Sequence, residues 1–183
     1  MQTFQMPGAA VALVQDSHIV YARGFGVRDL QTNAPVSPHT RVRIASNTKS
    51  MTSLLAATFV DQGLLDWDAS VLGVWPEFVA STNALTRSLR LRDLLGIGSG
   101  VAESPTIEFF MSAGTESALD QLRSIAYLPV IAPPHTEDYC NNTLTSAAGY
   151  LGAIAQGTPP ERLEDAYAAL VAERIFEPIG MSR

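Results

Sequence analysis

Cysteine is nearly absent from this chain of 183 residues, which contains a single one, Cys140. One cysteine can form neither a disulfide within the chain nor a cysteine-based zinc site. The three histidines are scattered along the sequence, and none of them has the spacing of metal ligands. We therefore expect no metal and no other cofactor.

Charge is also sparse, because charged residues make up 16% of the chain and sum to −6 without any basic run. Nucleic acid is therefore not an expected partner. No apolar stretch approaches the roughly 20 residues that span a membrane. Residues 1–7 lack the basic segment and apolar core of a signal peptide, which leaves open a cytoplasmic protein and one secreted from a longer precursor.

Lysine occurs once, as Lys49, and the other eleven of the twelve lysine and arginine residues are arginine. Arginine stays protonated in proteins, whereas lysine can lose its proton and act as a base. Lys49 follows Ser46 by three positions, and residues three apart share one face of a helix. A lysine amine beside a serine hydroxyl is the arrangement of an activated nucleophile.

Lys49 has to be neutral in order to take a proton from Ser46. The positive end of a helix dipole and burial among apolar neighbours both favour the neutral amine. The same helix start would offer the Ser46 backbone amide to a developing oxyanion. Serine is also a frequent helix N-cap, so the pair alone leaves a purely structural role for Ser46 open.

A second polar group, Tyr139 and Asn141, follows a proline-rich loop and directly precedes a predicted helix. A tyrosine held near a lysine can shuttle protons to a leaving group. An asparagine can hydrogen-bond a substrate amide with both its donor and its acceptor. A Tyr-x-Asn triplet also arises readily by chance, so its spacing alone does not assign a function.

Apolar periodicity and turn residues predict a β-hairpin followed by helices. The hairpin pairs residues 9–15 with residues 19–27 around a turn at Asp16 and Ser17. Residues 42–44 are predicted to be extended, and residues 67–78 to form an irregular packed loop. The predicted helices cover residues 47–60, 89–95, 116–126, 142–155 and 161–176. Two strands do not make a stable sheet, so this order predicts an α+β domain whose remaining strands are missing.

Short motifs occur in a fixed order along the chain. They are Pro7-Gly8-Ala9-Ala10, Gly24-Phe25-Gly26, Ser46-Asn47-Thr48-Lys49, Gly63-Leu64-Leu65-Asp66, Arg92-Asp93-Leu94-Leu95 with Ser99-Gly100, Tyr139-Cys140-Asn141, and Pro178-Ile179-Gly180-Met181. This ordered set resembles the class C β-lactamase-related serine hydrolases. That superfamily includes penicillin-binding proteins, D-alanyl-D-alanine carboxypeptidases, lactamase-like esterases and some acyltransferases. The resemblance covers nearly the whole chain.

The resemblance implies a serine β-lactamase/DD-peptidase-like fold of the α+β class. Residues 1–183 would form one partial catalytic domain, with strands in 1–45 and a mainly helical part in 46–183. Ser46 would be the acylated nucleophile, Lys49 and Tyr139 would transfer its proton, and Asn141 would position the substrate. No metal is required, and the expected substrate is a small ester, amide or β-lactam.

The chain departs from the family pattern in three places. The turn at Gly96-Ile97-Gly98-Ser99-Gly100 lacks the His-Thr that often precedes the Ser-Gly. The loop before Tyr139 lacks the usual Pro-Gly-Thr and aromatic residue, and reads Pro133-Pro134-His135-Thr136-Glu137-Asp138. The third motif, a lysine or histidine followed by any residue and glycine, is expected on a strand after Met181 and is not in this sequence. That strand supplies an oxyanion donor, and removing one such donor typically costs about 10²–10³ in rate.

We therefore expect the N-terminal part of a serine hydrolase, with uncertain activity in this length of chain. Its open sheet edge favours self-association. Two alternatives stay open at this point. One is a non-catalytic remnant of the same fold that binds a ligand or partner, and the other is an acyltransferase.

Overall fold

The computed structural model describes residues 2–105, 114 and 116–181. The chain divides into two compact units, residues 1–45 and residues 46–183. The described residues combine a two-stranded antiparallel sheet with helices, so the predicted α+β class is confirmed.

The first unit is built on the predicted hairpin. Strand β1 (Gly8–Gln15) pairs antiparallel with β2 (His18–Gly26), following a short 3₁₀ turn at Gln2–Phe4. Asp16 and Ser17 have φ angles of 49° and 66°. A two-residue turn with both central residues in the left-handed region matches the right-handed twist of the strands that it joins.

Apolar side chains of this hairpin lie largely in solvent. Ile19 is 70% exposed, Val14 is 67% exposed and Leu13 is 56% exposed. Within the described ranges, β1 and β2 are the only members of the sheet, so their outer edges carry no further strand. A sheet of this size usually needs additional strands or a covering helix to be stable.

Glycine is required at one position in each strand, because the backbone at Val27 and Val36 passes close to the hairpin. A Cβ at Gly24 would lie 2.1 Å from the carbonyl oxygen of Val36, and one at Gly8 would lie 2.3 Å from that of Val27. Neither backbone atom can give way as a flexible side chain could. Gly8 and Gly24 therefore allow close backbone packing.

The second unit, as far as the described residues show it, is helical. Its α-helices are α1 (Asn47–Asp61), α2 (Val71–Val74), α3 (Asn83–Ser88), α4 (Leu91–Leu95), α5 (Ala118–Ser124), α6 (Asn142–Ala155) and α7 (Leu163–Val171). Shorter 3₁₀ turns cover Ile125–Tyr127 and Pro160–Arg162, and a π-helical turn covers Ala172–Phe176. None of the described helices is long and apolar enough to cross a membrane.

The long predicted helices are confirmed, and the differences fall on short elements. The predicted helix over 161–176 is divided into a 3₁₀ turn, α7 and a π-helical turn. The predicted loop over 67–78 contains the single-turn helix α2. Residues 42–44 belong to no strand or helix.

Helix α6 runs through the core, and its small residues let α1 approach closely. A Cβ at Gly152 would lie 2.1 Å from the Phe59 ring, and one at Gly149 would lie 3.1 Å from Thr52 Cγ2. Gly149 precedes Gly152 in α6, and their respective partners Thr52 and Phe59 follow each other in the same order in α1. Helices α1 and α6 therefore lie side by side in the same direction, and their N-terminal ends meet.

Candidate active site

The first turn of α1 carries the predicted Ser46–Lys49 pair. Lys49 Nζ donates to Ser46 Oγ over 3.1 Å. Ser46 occupies the N-cap position, but its side chain makes no capping hydrogen bond. Ser46 is exposed and Lys49 is half-buried. The hydroxyl is therefore oriented towards the amine, and its side chain does not serve as a helix cap.

The backbone just before Ser46 is strained. Ala45 has a φ of 46°, in the left-handed region that residues with a Cβ seldom occupy. Such conformations cost about 1–3 kcal/mol and are concentrated at functional sites. The strained residue directly precedes the serine whose hydroxyl meets Lys49.

The amine of Lys49 has a second partner, because it also donates to Oδ1 of Asn142, the first residue of α6. Lys49 is thereby held between Ser46 on its own helix and Asn142 on the neighbouring one. An amide oxygen accepts hydrogen bonds and cannot donate them. Asn142 therefore fixes one N–H of the amine and leaves its other positions for the serine.

Glu103 binds the start of α6, where backbone N–H groups lack partners within the helix. Its Oε2 accepts from the Asn142 amide over 2.6 Å and from the Thr143 amide over 3.1 Å. Its Oε1 accepts from the Thr143 hydroxyl over 2.9 Å. The carboxylate therefore holds the backbone of the residue whose side chain reaches Lys49.

Asn141 completes this N-terminal cap. Its Oδ1 accepts from the Leu144 amide over 2.8 Å, and its Nδ2 donates to the Val101 carbonyl over 3.3 Å. The residue is only 4% exposed. The amide predicted to position a substrate is thus directed into the protein, while the amide that reaches the Ser46–Lys49 pair belongs to the next residue.

Tyr139 has its hydroxyl bound to a neighbouring carboxylate. The hydroxyl donates to the Glu137 carboxylate over 2.5 Å. This hydrogen bond, followed by the negative charge of Glu137, raises the pKa of Tyr139 above its ordinary value. The phenol therefore keeps its proton at neutral pH, and its hydrogen bond is made to Glu137 and not to Lys49.

The loop that carries Tyr139 is attached to the glycine-rich turn after α4. The Tyr139 amide donates to the Ile97 carbonyl over 2.6 Å, and the His135 amide donates to the Gly98 carbonyl over 2.7 Å. His135 has a φ of 64°, a conformation that glycine adopts more readily. The loop therefore approaches Tyr139 through a residue with an unfavourable backbone conformation.

Sequence reasoning missed both Asn142 and Glu103. The signal for Asn142 was the helix start itself, since an asparagine at the N-cap turns its side chain inward to bind the N3 amide. That preference leaves the second asparagine to project from the first turn. No local signal indicated Glu103, because its partners lie about 40 positions away in the sequence.

No metal site is visible in the parts of the chain that the structure covers, 2–105, 114 and 116–181. There, histidine, cysteine, aspartate and glutamate side chains do not gather in groups of three or more that could hold an ion. Cys140 is exposed. The arrangement offers a nucleophile, a potential base and a residue that orients that base.

Comparison with known proteins gives a consistent result. The beta-lactamase family model matches residues 1–183. The unguisins hydrolase ungD of Aspergillus violaceofuscus is 27% identical over 191 residues, covering 100% of this chain and 32% of its own length.

Solved structures match the same fold. A penicillin-binding protein homologue from Pyrococcus abyssi superimposes with a TM-score of 0.82 at 24% identity, covering 100% of this chain and 41% of its own. The D-amino acid amidase of Ochrobactrum anthropi gives 0.76 at 23% identity, covering 98% and 46%. The chain therefore spans less than half the length of each of these three relatives.

Proposed function

This chain belongs to the beta-lactamase family, and on that premise we propose that it is the nucleophile-bearing part of a serine hydrolase. The observation that carries the proposal is the 3.1 Å hydrogen bond between Lys49 Nζ and Ser46 Oγ. It is made by the only lysine in the sequence. Lysine is the one basic side chain of this protein other than histidine that can give up its proton to become a base.

In the proposed reaction, neutral Lys49 accepts the Ser46 proton while Oγ attacks the carbonyl carbon of the substrate. The new C–O bond produces a tetrahedral oxyanion, which the Ser46 backbone amide stabilises. Collapse of this intermediate breaks the bond to the leaving group and leaves an ester on Ser46. A water molecule then attacks this acyl-enzyme and releases the acid.

Asn142 keeps the amine in position during this transfer. Because Asn142 Oδ1 occupies one N–H of Lys49, the lone pair of the neutral amine is free to point towards Ser46. Asn141 supports this arrangement by capping α6, and we propose that its part in positioning the substrate is indirect, through the place it gives to Asn142. Tyr139 holds its proton at neutral pH, so its proposed role is to supply a proton to the leaving group.

For the substrate we propose a small ester or amide ahead of a β-lactam. One relative is named a hydrolase of unguisins and one solved structure is a D-amino acid amidase. These names support cleavage of an acyl bond, which Ser46 and Lys49 are equipped to perform. An activated aryl ester is the simplest probe of that chemistry, because its phenolate leaving group departs without protonation.

A second candidate function is ligand binding without turnover. The position of the Tyr139 hydroxyl favours it, because that group binds Glu137 and makes no hydrogen bond to the Ser46–Lys49 pair. A binding protein of this fold would retain Ser46 without using it as a nucleophile.

Fluorophosphonate labelling separates the two candidates, because the reagent forms a stable bond with an activated serine and releases fluoride. The folded protein is exposed to the reagent beside Ser46→Ala, and the intact mass is measured. We expect one adduct on the parent chain and none on the variant. Folded protein that acquires no adduct would support the binding function.

A further inference from the structure

The Glu103 carboxylate is linked to the Ser46–Lys49 pair through a single intervening residue, Asn142. It binds the Asn142 amide, the Asn142 side chain binds Lys49, and Lys49 binds Ser46. We propose that Glu103 is a positioning residue for the Lys49 amine and acts through Asn142. The effect on reactivity rests on the proposed function, whereas the effect on the position of Lys49 does not.

The partners of Glu103 are all hydrogen-bond donors. They are the backbone amides of Ser104, Asn142 and Thr143 and the hydroxyl of Thr143. A carboxylate suits this environment because it is acceptor-only and carries a negative charge at the positive end of α6. Glutamine has the same shape, but its NH₂ group would face part of this donor set.

The capping of α6 shows why Glu103 affects Asn142 in particular. Glu103 takes the first two helix amides, whereas Asn141 takes the third. Loss of Asn141 would therefore leave the Asn142 backbone with its carboxylate partner. Loss of Glu103 removes that partner at the first residue of the helix, which is the residue that reaches Lys49.

The close approaches of α1 to the α6 glycines lie at Gly149 and Gly152, about two helical turns or more beyond Asn142. The first turn of a helix frays most easily when its amides lack partners. By binding these amides, Glu103 supports the first turn of α6, from which the Asn142 side chain reaches Lys49.

The chain contains a matched control. Glu164 Oε1 accepts from the Ala118 amide over 2.8 Å, so it caps the start of α5 from a distant part of the chain. Glu103 also caps its helix from a distant part of the chain, with two backbone amides where Glu164 has one. Replacing Glu164 removes a comparable cap without touching Asn142, Lys49 or Ser46.

The single lysine provides a direct readout. Protein labelled with ¹³C-lysine gives one Cε resonance, that of Lys49, and its chemical shift reports the surroundings of the amine. The experiment compares this resonance and the second-order rate of fluorophosphonate labelling in the parent chain, Glu103→Ala, Glu103→Gln and Glu164→Ala. Circular dichroism and thermal melting establish the folded fraction of each protein, to which the rates are normalised.

We expect Glu103→Ala to shift the Lys49 resonance and to lower the labelling rate about 10-fold to 100-fold, the scale of a small misplacement of a catalytic group. Glu103→Gln should recover part of both. Glu164→Ala should lower the melting temperature while leaving the resonance and the rate unchanged.

An unchanged Lys49 resonance in Glu103→Ala, accompanied only by a lower melting temperature, would overturn the proposal and make Glu103 a simple helix cap. If Glu103→Ala does not fold, Glu103→Gln decides by the same criteria. If the parent chain itself is not labelled, the proposed function fails, and the resonance alone still tests the position of Lys49.

Discussion

The side-chain amine of Lys49 donates to the side-chain oxygen of Asn142, 93 positions later in the chain. This contact joins the first turns of α1 and α6. Further along the two helices, Gly149 and Gly152 let α1 and α6 pack closely. The position of the proposed base is therefore determined by tertiary packing, whereas its spacing from Ser46 is determined by one turn of helix.

Lys49→Arg should abolish the activation of Ser46. Arginine keeps the positive charge and much of the length of lysine but does not give up its proton, so it cannot serve as the base. We expect the fluorophosphonate labelling rate to fall by about 10²-fold or more, the contribution of a general base. Circular dichroism should show a folded protein, and a labelling rate equal to that of the parent chain would eliminate Lys49 as the base.

Asn142→Ala and Asn141→Ala should have different effects, although the two residues are adjacent. Asn142→Ala removes the oxygen that holds Lys49, so we expect a labelling rate about 10-fold to 100-fold lower. Asn141→Ala removes a helix N-cap, which typically costs about 0.5–2 kcal/mol in the free energy of unfolding. Labelling kinetics and urea denaturation of both variants test this difference. Equal losses of rate would contradict the assignment of Asn142 as the residue that contacts Lys49.

Gly152→Ala should destabilise the helical unit. A methyl group there would lie 2.1 Å from the Phe59 ring, so α1 and α6 would have to separate. Overpacking of a core typically costs about 1–3 kcal/mol, which urea denaturation measures. Gly73→Ala is the control, because its added methyl would meet only Ser70 Cβ, at 3.8 Å. Equal stability of the two variants would mean that the two helices do not pack as closely as described.

Tyr150 should make the protein less stable in alkali. Burial, followed by the charge of Glu164 and the neighbouring Tyr167, raises the pKa of Tyr150 to about 12. An unfolded tyrosine ionises near pH 10, so between about pH 10 and 12 the unfolded chain binds fewer protons than the folded one. The stabilisation is complete below that range and is lost as the pH rises through it.

Urea denaturation at increasing pH tests this expectation. The free energy of unfolding of the parent chain should fall above about pH 10, and Tyr150→Phe should lack part of that fall. Absorbance at alkaline pH should show one tyrosinate fewer forming near pH 12 in the variant. Identical pH dependence in both proteins would contradict the raised pKa of Tyr150.

Much of the local structure could be predicted from the sequence. The turn at Asp16 and Ser17 gave the hairpin, and sustained apolar periodicity gave α1 and α6. Helices α2 and α3 were not predicted, because elements of one or two turns leave too few positions for periodicity to appear. The helix predicted over 161–176 starts instead with a 3₁₀ turn at Pro160–Arg162, and its α-helical part begins at Leu163.

The candidate site could likewise be predicted only in part. Ser46 and Lys49 are three positions apart on one helix, so their contact could be inferred locally. The partner of Lys49 could not, because it depends on how α6 packs against α1 and on which of two adjacent asparagines turns inward as the cap. The hydrogen bond of Tyr139 to Glu137 likewise depends on the path of an irregular loop.

The most direct test of the central claim, an acyl-enzyme at Ser46, is to trap that species. The folded protein is mixed with a p-nitrophenyl ester, quenched in acid within seconds, digested and analysed by peptide mass spectrometry, with Ser46→Ala treated in parallel. The account predicts that the peptide containing Ser46 gains the mass of the acyl group and that fragmentation places it on Ser46. Release of p-nitrophenol at the same rate by Ser46→Ala, or acylation at another residue alone, would contradict it.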